Sequence, residues 1–415
     1  MASFTLKTAA DCTLAQTSKI AHAICLPVLY SRIDLSCHHD KSYFCKDVPL
    51  DFEPRYPGRY KQGWDETESD KSDAWYQQRS HELLRRQRLL IRTLLDHPEH
   101  GRYVKSLVWT YRNWGNVEPP LSDASVWKAF KTLINIRILD FCSLAEERQL
   151  HVPPSLFSSA RVIRISGQMT FALAFAILQS GTPSTITSLD LDNLQDIGQI
   201  CKGKRMMINE NLSALKESRY SDGTPKRRHP GPMRDHLRQL KGRCSTLEHL
   251  ALRSVGQDGS MEPLWSSSLD EERYQQWAAF IDSSRGSIRT LDLEQGLSAR
   301  GLGPVVGHCR GHAHTLHPVQ QLRPMDSRFI AYILPVLLKT PWPKLEKVTI
   351  RGLGGQSHAQ RYSSTQLERT KIVAHHVARL RQALGPQVGL LFEPEASKAF
   401  YVRNSYNIMP EYDNR

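Results

Sequence analysis

A six-residue pattern of apolar positions returns seven times along the chain and constrains its fold more than any other feature. The pattern is apolar-x-x-apolar-x-apolar, and its copies begin at Val104, Ile136, Ala160, Ile186, Leu247, Ile288 and Leu345. The last two apolar positions of a copy are two residues apart, so they point to one face of a β-strand. Repetition predicts stacked parallel strands with one buried column, formed by Leu107, Leu139, Ile163, Leu189, Leu250, Leu291 and Val348.

Helical segments precede most of these copies after a short break. Their predicted ranges are 124–133, 171–178, 233–240, 272–281, 329–338 and 365–384, and a degenerate eighth strand follows over 388–392. Ser122 is an N-cap candidate for the first helix, and Gly385-Pro386 stops the last. A helix, a turn and a strand repeated in one order require parallel strands with the helices on the other side. The pattern therefore predicts an α/β solenoid rather than a globule.

The alternative α/β architecture is a doubly wound sheet with a nucleotide site. That fold needs a glycine-rich turn immediately after a strand, at the start of a helix. The nearest candidate, Gly301–Gly307, contains Pro304 and begins eight residues beyond the strand residue Leu293. Because this spacing does not suit a phosphate-binding turn, the sequence favours the repeat.

The hexamer resembles the opening of the leucine-rich repeat, whose consensus is L-x-x-L-x-L-x-x-N/C-x-L. The copies that begin at Leu247, Ile186 and Ile288 match the first six positions best. Starts fall 24 to 61 residues apart, and every copy replaces the consensus asparagine or cysteine. The resemblance implies an irregular leucine-rich-repeat-like solenoid without the side-chain ladder that ties regular repeats together.

The N-terminal segment 6–35 combines a helical pattern with the block Leu26-Pro27-Val28-Leu29-Tyr30. Pro27 is predicted to end the helix, and 32–35 is predicted to be extended. With Leu14, Thr17-Ser18-Lys19 and Ile20, this block resembles the second half of an F-box, which docks on the Skp-type adaptor of cullin–RING ubiquitin ligases. The order of this segment, a basic helix over 86–95 and the first repeat strand is similar to F-box/leucine-rich-repeat-like proteins of filamentous fungi.

The resemblance implies a function and two sets of contact residues. The function is a non-catalytic protein-interaction module, the substrate receptor of an SCF-type cullin–RING ubiquitin ligase. Adaptor contacts are expected from Leu14, Ile20, Ile24, Leu26, Pro27, Leu29 and Tyr30. A client protein is expected on outward strand residues, namely Arg164, Asp190, Asp192, Arg253, Asp292 and Thr349. Since the Leu-Pro-x-Glu helix that opens an F-box does not precede Leu6, we expect weak adaptor binding.

The predicted organisation has four parts. They are an F-box-like segment (1–36), a polar linker (37–80), a leucine-rich-repeat-like domain (81–395) with a basic insertion over 195–232, and a tail (396–415). The alternative functions are a repeat scaffold without a ligase link and, with less support, a nucleic-acid-binding protein that uses the insertion.

Positive charge is concentrated in that insertion. The chain has 55 Lys and Arg against 42 Asp and Glu, a net charge of +13. Twelve of the cations lie within 201–243, against four acids. Nucleic-acid-binding segments usually interleave aromatic residues, and here Tyr220 is alone. A solvated loop is therefore favoured over a nucleic-acid site.

The remaining patterns favour neither catalysis nor a cofactor. His308, Cys309, His312, His314 and His317 are crowded together, but they lack the paired spacing of a structural zinc site, as do Cys37, His38, His39 and Cys45. No nucleophile elbow, P-loop or kinase motif occurs, so we expect no enzyme activity, no cofactor and no metal. Eight dispersed cysteines and no apolar run of the roughly 20 residues that a bilayer span needs predict a cytoplasmic or nuclear protein.

Overall fold

The computed structural model of the protein describes residues 19–36, 66–111, 122–144, 149–179, 181–197, 231–255, 267–296, 322–354 and 364–394. The helices are α1 (Lys19–Ser31), α2 (Glu66–Asp96), α3 (Asp123–Phe130), α4 (Phe171–Leu178), α5 (Ser267–Ser284), α6 (Pro324–Arg328), α7 (Leu334–Leu337) and α8 (Ser364–Leu384). The strands are β1 (Arg32–Leu35), β2 (Ser106–Tyr111), β3 (Ile138–Leu144), β4 (Val162–Met169), β5 (Ser188–Asp196), β6 (Gly231–Pro232), β7 (His249–Val255), β8 (Thr290–Gly296), β9 (Lys347–Arg351) and β10 (Gly389–Glu393). The chain divides into unit one (Met1–Ile165 and Ala172–Ile186) and unit two (Ser166–Phe171 and Thr187–Arg415).

In unit one the strands follow the order β1-β2-β3-β4. β1 pairs in parallel with β2, and β2 pairs in parallel with β3, so that Ile33, Leu107 and Leu139 stand in register. Beside these strands, an aromatic cluster fills the core, in which the ring of Trp109 meets that of Phe130 edge-on at 5.0 Å. The indole N–H of Trp127 donates to the carbonyl of Leu150 at 2.7 Å, which satisfies the polar atom of this buried ring.

In unit two the order is β4-β5-β7-β8-β9-β10, with the short β6 antiparallel to β5. The register joins Leu189, Leu250, Leu291, Val348 and Leu390 in a single row across five parallel strands. Each strand sends alternate residues to opposite faces. Apolar side chains on one face are buried, whereas the other face carries polar and charged residues that are partly exposed.

All seven copies of the hexamer are strands, and they lie in chain order in an open arrangement of nine parallel strands. The predicted column is buried at every position, since none of its seven side chains is more than 2% exposed. The α/β class and the strand order are thus confirmed, and they fit a solenoid-like α/β fold. Two further parallel strands come from β10, the degenerate eighth strand, and from β1, where Tyr30–Leu35 also fits the hexamer.

Several helices match their predicted ranges. α4 covers 171–178, and α8 ends where Gly385, at φ +76°, closes the last turn by donating its N–H to the carbonyl of Arg381. Ser122 caps α3 by accepting from the N–H of Ser125. Over 329–338 the helix is interrupted, because a π-helical turn at Phe329–Ile333 precedes Pro335 in α7.

Two helix predictions are wrong. The range 233–240 forms consecutive turns instead of a helix, because Asp235 adopts φ +60° and breaks the helical backbone. Pro27 does not end α1, which continues to Ser31. A proline removes one backbone hydrogen bond, and the neighbouring turns still hold this helix.

The organisation of the N-terminal part departs from the predicted boundaries. α2 begins at Glu66, inside the range 37–80 that was assigned to a linker. β1 belongs to the segment 1–36, and yet it pairs with β2 of the repeat region. In the described part of the chain, no helix is both long and apolar enough to cross a membrane.

Candidate functional site

The charged face of unit two consists of the polar side chains that alternate with the buried leucines. Its members are Asp190, Asp192, Arg253, Asp292, Glu294, Arg351 and Glu393. They fall into two rows. One row contains Asp190, Ala251, Asp292, Thr349 and Leu391 on successive strands, and the other contains Asp192, Arg253, Glu294, Arg351 and Glu393. The second row therefore alternates in sign across five strands, which places each guanidinium between carboxylates.

Arg253 lies at the centre of this face. Its guanidinium donates to the carboxylates of Asp190 on β5 and Asp292 on β8, the latter at 2.7 Å. Its Nε lies 3.3 Å from a carboxylate oxygen of Glu294. A single side chain from β7 thus joins both neighbouring strands.

Arg351 repeats this arrangement at the end of the sheet. Its Nε donates to the carboxylate of Glu393 on β10. One of its Nη atoms lies 3.9 Å from a carboxylate oxygen of Asp292 on β8. The carboxylate of Asp292 is consequently shared between the two arginines, and the ion pairs run continuously from β5 to β10.

The electrostatics of the face favour charged guanidinium groups. Burial of Arg253 opposes its charge, but the surrounding carboxylates of Asp190, Asp292 and Asp192 outweigh burial and raise its pKa. The pKa of Arg351 is also raised, because the carboxylate of Glu393 outweighs partial burial. Both groups therefore remain cations throughout the physiological range.

The face carries an excess of negative charge within a basic protein. Five carboxylates less two guanidinium groups leave −3, whereas the whole chain carries +13. The side chain of Glu294 is 1% exposed and that of Arg253 11%. Those of Asp292 and Glu393 are 27% and 46% exposed. Asp190, Asp292 and Glu393 are thus the partly exposed carboxylates of the face, and Asp192 and Glu294 are buried. Arg351 is 24% exposed, so three carboxylates beside one partly exposed guanidinium form a surface suited to binding cationic groups.

The structure brings together five of the six residues predicted to bind a client. Asp190, Asp192, Arg253, Asp292 and Thr349 all belong to these two rows. Asp192 and Thr349, which were expected to point outward, are buried on this face. The sixth residue, Arg164, lies on β4 with Asp140 of β3 at 3.6 Å.

Sequence reasoning missed Glu294, Arg351 and Glu393. The signal was the position after each hexamer, which reads Asp192, Arg253, Glu294 and Arg351 in the last four copies. Alternation of sign at one repeat position indicates pairing between adjacent strands.

The segment predicted to bind an adaptor is α1 of unit one. Ile24 and Val28, one helical turn apart, are largely exposed, and so is Pro27. Leu26, Leu29 and Tyr30 are half-buried, and the Tyr30 ring packs 5.1 Å from that of His100, where burial raises its pKa. Leu14 and the side chain of Ile20 lie outside the described residues. Among the side chains of α1 that the structure describes, Ile24 and Val28 are exposed apolar residues, and Tyr30 packs against its own unit.

Other predicted features fall outside the described part of the chain. These are the glycine-rich segment 301–307, the His/Cys-rich segment 308–317, the cluster 37–45, the tail 396–415 and most of the basic insertion. Among the described residues, no group of three or more His, Cys, Asp or Glu side chains could hold a metal ion.

Comparisons with known proteins assign no family to the chain. No protein-family model, no curated protein and no solved structure matches it. Its function has to be inferred from the residues and their geometry.

Proposed function

We propose that the chain is a non-catalytic protein-interaction module that binds a basic segment of a client protein on the charged face of unit two. The observation that carries this proposal is the set of three partly exposed carboxylates, Asp190 on β5, Asp292 on β8 and Glu393 on β10. In this scheme the chain is the substrate receptor of an SCF-type cullin–RING ubiquitin ligase. Other subunits perform the ubiquitin chemistry, and this chain supplies proximity.

The strand spacing suggests what a client segment would look like. Parallel strands lie about 4.8 Å apart, so Asp190 and Asp292, two strands apart, are separated by roughly 10 Å. A peptide in the extended polyproline II conformation advances about 3.1 Å per residue with three residues per turn, so cationic side chains three residues apart lie on one face and match that separation. We therefore expect an extended client segment with Lys or Arg at this spacing.

Ion pairs with neighbouring carboxylates fix the positions of the two arginines of the face. Arg253 is held by Asp190 and Asp292, and Arg351 is held by Glu393. The excess charge is held on a rigid sheet, and a rigid surface loses little conformational entropy when it binds.

The ligase link is supported by the exposed apolar stripe on α1. Ile24 is 68% exposed and Val28 59%, and the two side chains lie on adjacent turns of one helix face. A helix that presents such a stripe is suited to docking on another protein. The leucine-rich-repeat and F-box resemblances supply the identity of that protein, a Skp-type adaptor.

A charge-varied peptide library tests the client site. The purified chain is expected to enrich peptides with Lys or Arg three residues apart, and Asp190→Asn combined with Asp292→Asn should lower their affinity about tenfold or more. Asp282→Asn is the matched control, since Asp282 is a partly exposed carboxylate of α5 that pairs with Lys339 at 3.0 Å. Enrichment without regard to charge, or an equal loss in the control, would count against the site.

Direct binding of a purified Skp-type adaptor tests the ligase link. We expect weak binding that Ile24→Asp and Val28→Asp each abolish, because each buries a charge in an apolar contact. Leu89→Asp serves as the control, since Leu89 is an exposed leucine of α2. Point variants are preferable to deletion of 1–36, which would also remove β1 from its pairing with β2. Adaptor binding that survives both variants would show that α1 is not the docking helix, and no binding by the unchanged chain would leave a scaffold without a ligase link.

A further inference from the structure

Unit one contains a cleft at the ends where its strands begin. The cleft has a volume of about 430 Å³ and is lined by Lys105, Asn135, Arg137, Ser158, Ser159, Arg161, Thr182 and Thr185. Three of these described residues are cations, and the others carry hydroxyl or amide groups. We name this feature the cationic cleft.

The three cations occupy one repeat position on adjacent strands. Each is the second residue of its hexamer, immediately before β2, β3 or β4. Their backbones are hydrogen-bonded in sequence, since the carbonyl of Lys105 accepts from the N–H of Arg137 at 2.8 Å, and that of Arg137 accepts from Arg161 at 2.9 Å. The column of positive charge is therefore fixed by the fold.

In unit two the same repeat position carries a different set of residues. There the column reads Thr187, Glu248, Arg289 and Glu346, joined by the same backbone hydrogen bonds. Arg289 is neutralised by Glu346 at 2.5 Å, with Glu248 at 3.9 Å. This column pairs opposite charges on adjacent strands, which stabilises the sheet.

The column in unit one does not pair its charges in this way. Among the described residues, Lys105 and Arg137 form no ion pair, and all three cations are exposed. Like charges on adjacent strands destabilise a sheet, and a local arrangement that reduces stability points to a functional site. An anion that occupied the cleft would relieve the repulsion.

The dimensions and chemistry of the cleft define that anion. Two strand intervals spread the cations over roughly 10 Å, enough for two or more phosphate groups. Arginine binds phosphate through two parallel hydrogen bonds, and the rim offers Ser158 and Thr182 hydroxyl groups. The volume suits a small molecule, and no aromatic side chain among the described lining residues could stack on a base. We infer that unit one binds a small ligand with two or more phosphate groups in the cationic cleft.

Calorimetric titration of the full chain with tripolyphosphate tests this site, which is separate from the proposed client site. Binding should weaken as the salt concentration rises, and Arg137→Gln should weaken it about tenfold or more, because it removes a charged bidentate donor. Arg289→Gln is the matched control, since this exposed arginine occupies the same repeat position in unit two, and it should leave the affinity unchanged. Both variants should stay folded, with a slightly higher melting temperature for Arg137→Gln, which relieves the repulsion, and a slightly lower one for Arg289→Gln, which removes an exposed ion pair.

Three results would overturn the inference. The first is tripolyphosphate binding that Arg137→Gln leaves intact or that both variants reduce equally, as general attraction to a basic chain would give. The second is Arg137-dependent binding only to vesicles that carry a polyphosphorylated inositol lipid, which would assign the cleft to a membrane headgroup. The third is a single-stranded RNA that displaces tripolyphosphate from the cleft and binds more tightly.

Discussion

Individual buried residues of unit two have protonation states set by their neighbours. His236 is 3% exposed, and burial together with the adjacent charge of Arg273 lowers its pKa to about 4. Arg273 itself is buried, with its guanidinium 5.1 Å from the centre of the Trp277 ring. His236 is therefore neutral in the folded protein at pH values where a histidine of the unfolded chain is already protonated.

This difference predicts how stability depends on pH. Below the ordinary pKa of 6.5 the unfolded chain binds a proton that the folded chain excludes down to about pH 4, so stability falls as the pH decreases across that window. The loss attributable to His236 is on the order of 3 kcal/mol at pH 4. In urea denaturation at a series of pH values, the free energy of unfolding of His236→Leu should depend less steeply on pH than that of the unchanged chain. The control His249→Gln changes a half-exposed histidine and should keep the original slope.

Arg253 is the residue on which the charge balance of the face depends most. Arg253→Met should destabilise the protein by about 3–5 kcal/mol, because it leaves buried and partly buried carboxylates without a counter-charge. The loss should shrink in acid, since protonated carboxyl groups no longer repel each other. Arg351→Met is the comparison, and it should cost less because Arg351 is more exposed. Equal losses for the two variants in denaturant titrations would contradict the central position of Arg253.

Among the structural elements, the strands are specified more strongly than the helices. Each hexamer buries three apolar side chains, and each strand stacks on a neighbour that has the same pattern. Leu250, at the centre of the buried row, is both a buried residue of its own hexamer and a neighbour of the equivalent residues on both adjacent strands. The strands therefore depend on packing between repeats as well as on local sequence.

Truncation of that leucine tests the stacking. Leu250→Ala should lower the free energy of unfolding by about 2–5 kcal/mol, because it removes transfer energy and leaves a cavity between two rungs. Leu391→Ala, on the partly exposed side of β10, should change it by less than about 1 kcal/mol. Chemical denaturation of both variants measures the difference, and similar losses would show that the row is not the core of the stack.

The elements also show how far sequence reasoning reaches. The strands were predictable because each hexamer places its last two apolar residues two positions apart, which is the period of a β-strand. The helix α4 was predictable because an unbroken apolar run ends at a loop. The turns over 233–240 were not, because the apolar spacing there is helical and the deciding feature is the backbone of Asp235. The alternation of side chains along each strand predicted which residues of the site share the face opposite the buried leucines. The partners of Arg253 did not, because Asp190 and Asp292 lie 63 and 39 residues away and the register that joins them depends on the folded stack.

At the scale of the whole molecule, the two units carry surfaces of opposite charge at different repeat positions. Unit one has three cations before its strands, and unit two has an excess of carboxylates along its strands. The net charge of +13 does not reveal these local surfaces, because much of it comes from the basic range 201–243, which belongs to unit two. The ligands that we propose differ accordingly, a phosphorylated small molecule for unit one and a basic protein segment for unit two.

A double-mutant cycle between the charged face and a peptide from the charge-varied library tests the central claim most directly. The affinity of the peptide is measured with and without Asp292→Asn, and with and without replacement of one peptide lysine by norleucine. If the lysine binds at Asp292, the two changes should not be additive, and their coupling should be at least about 1 kcal/mol. Additive losses for every lysine of the peptide, at both Asp190 and Asp292, would show that the charged face does not hold the client.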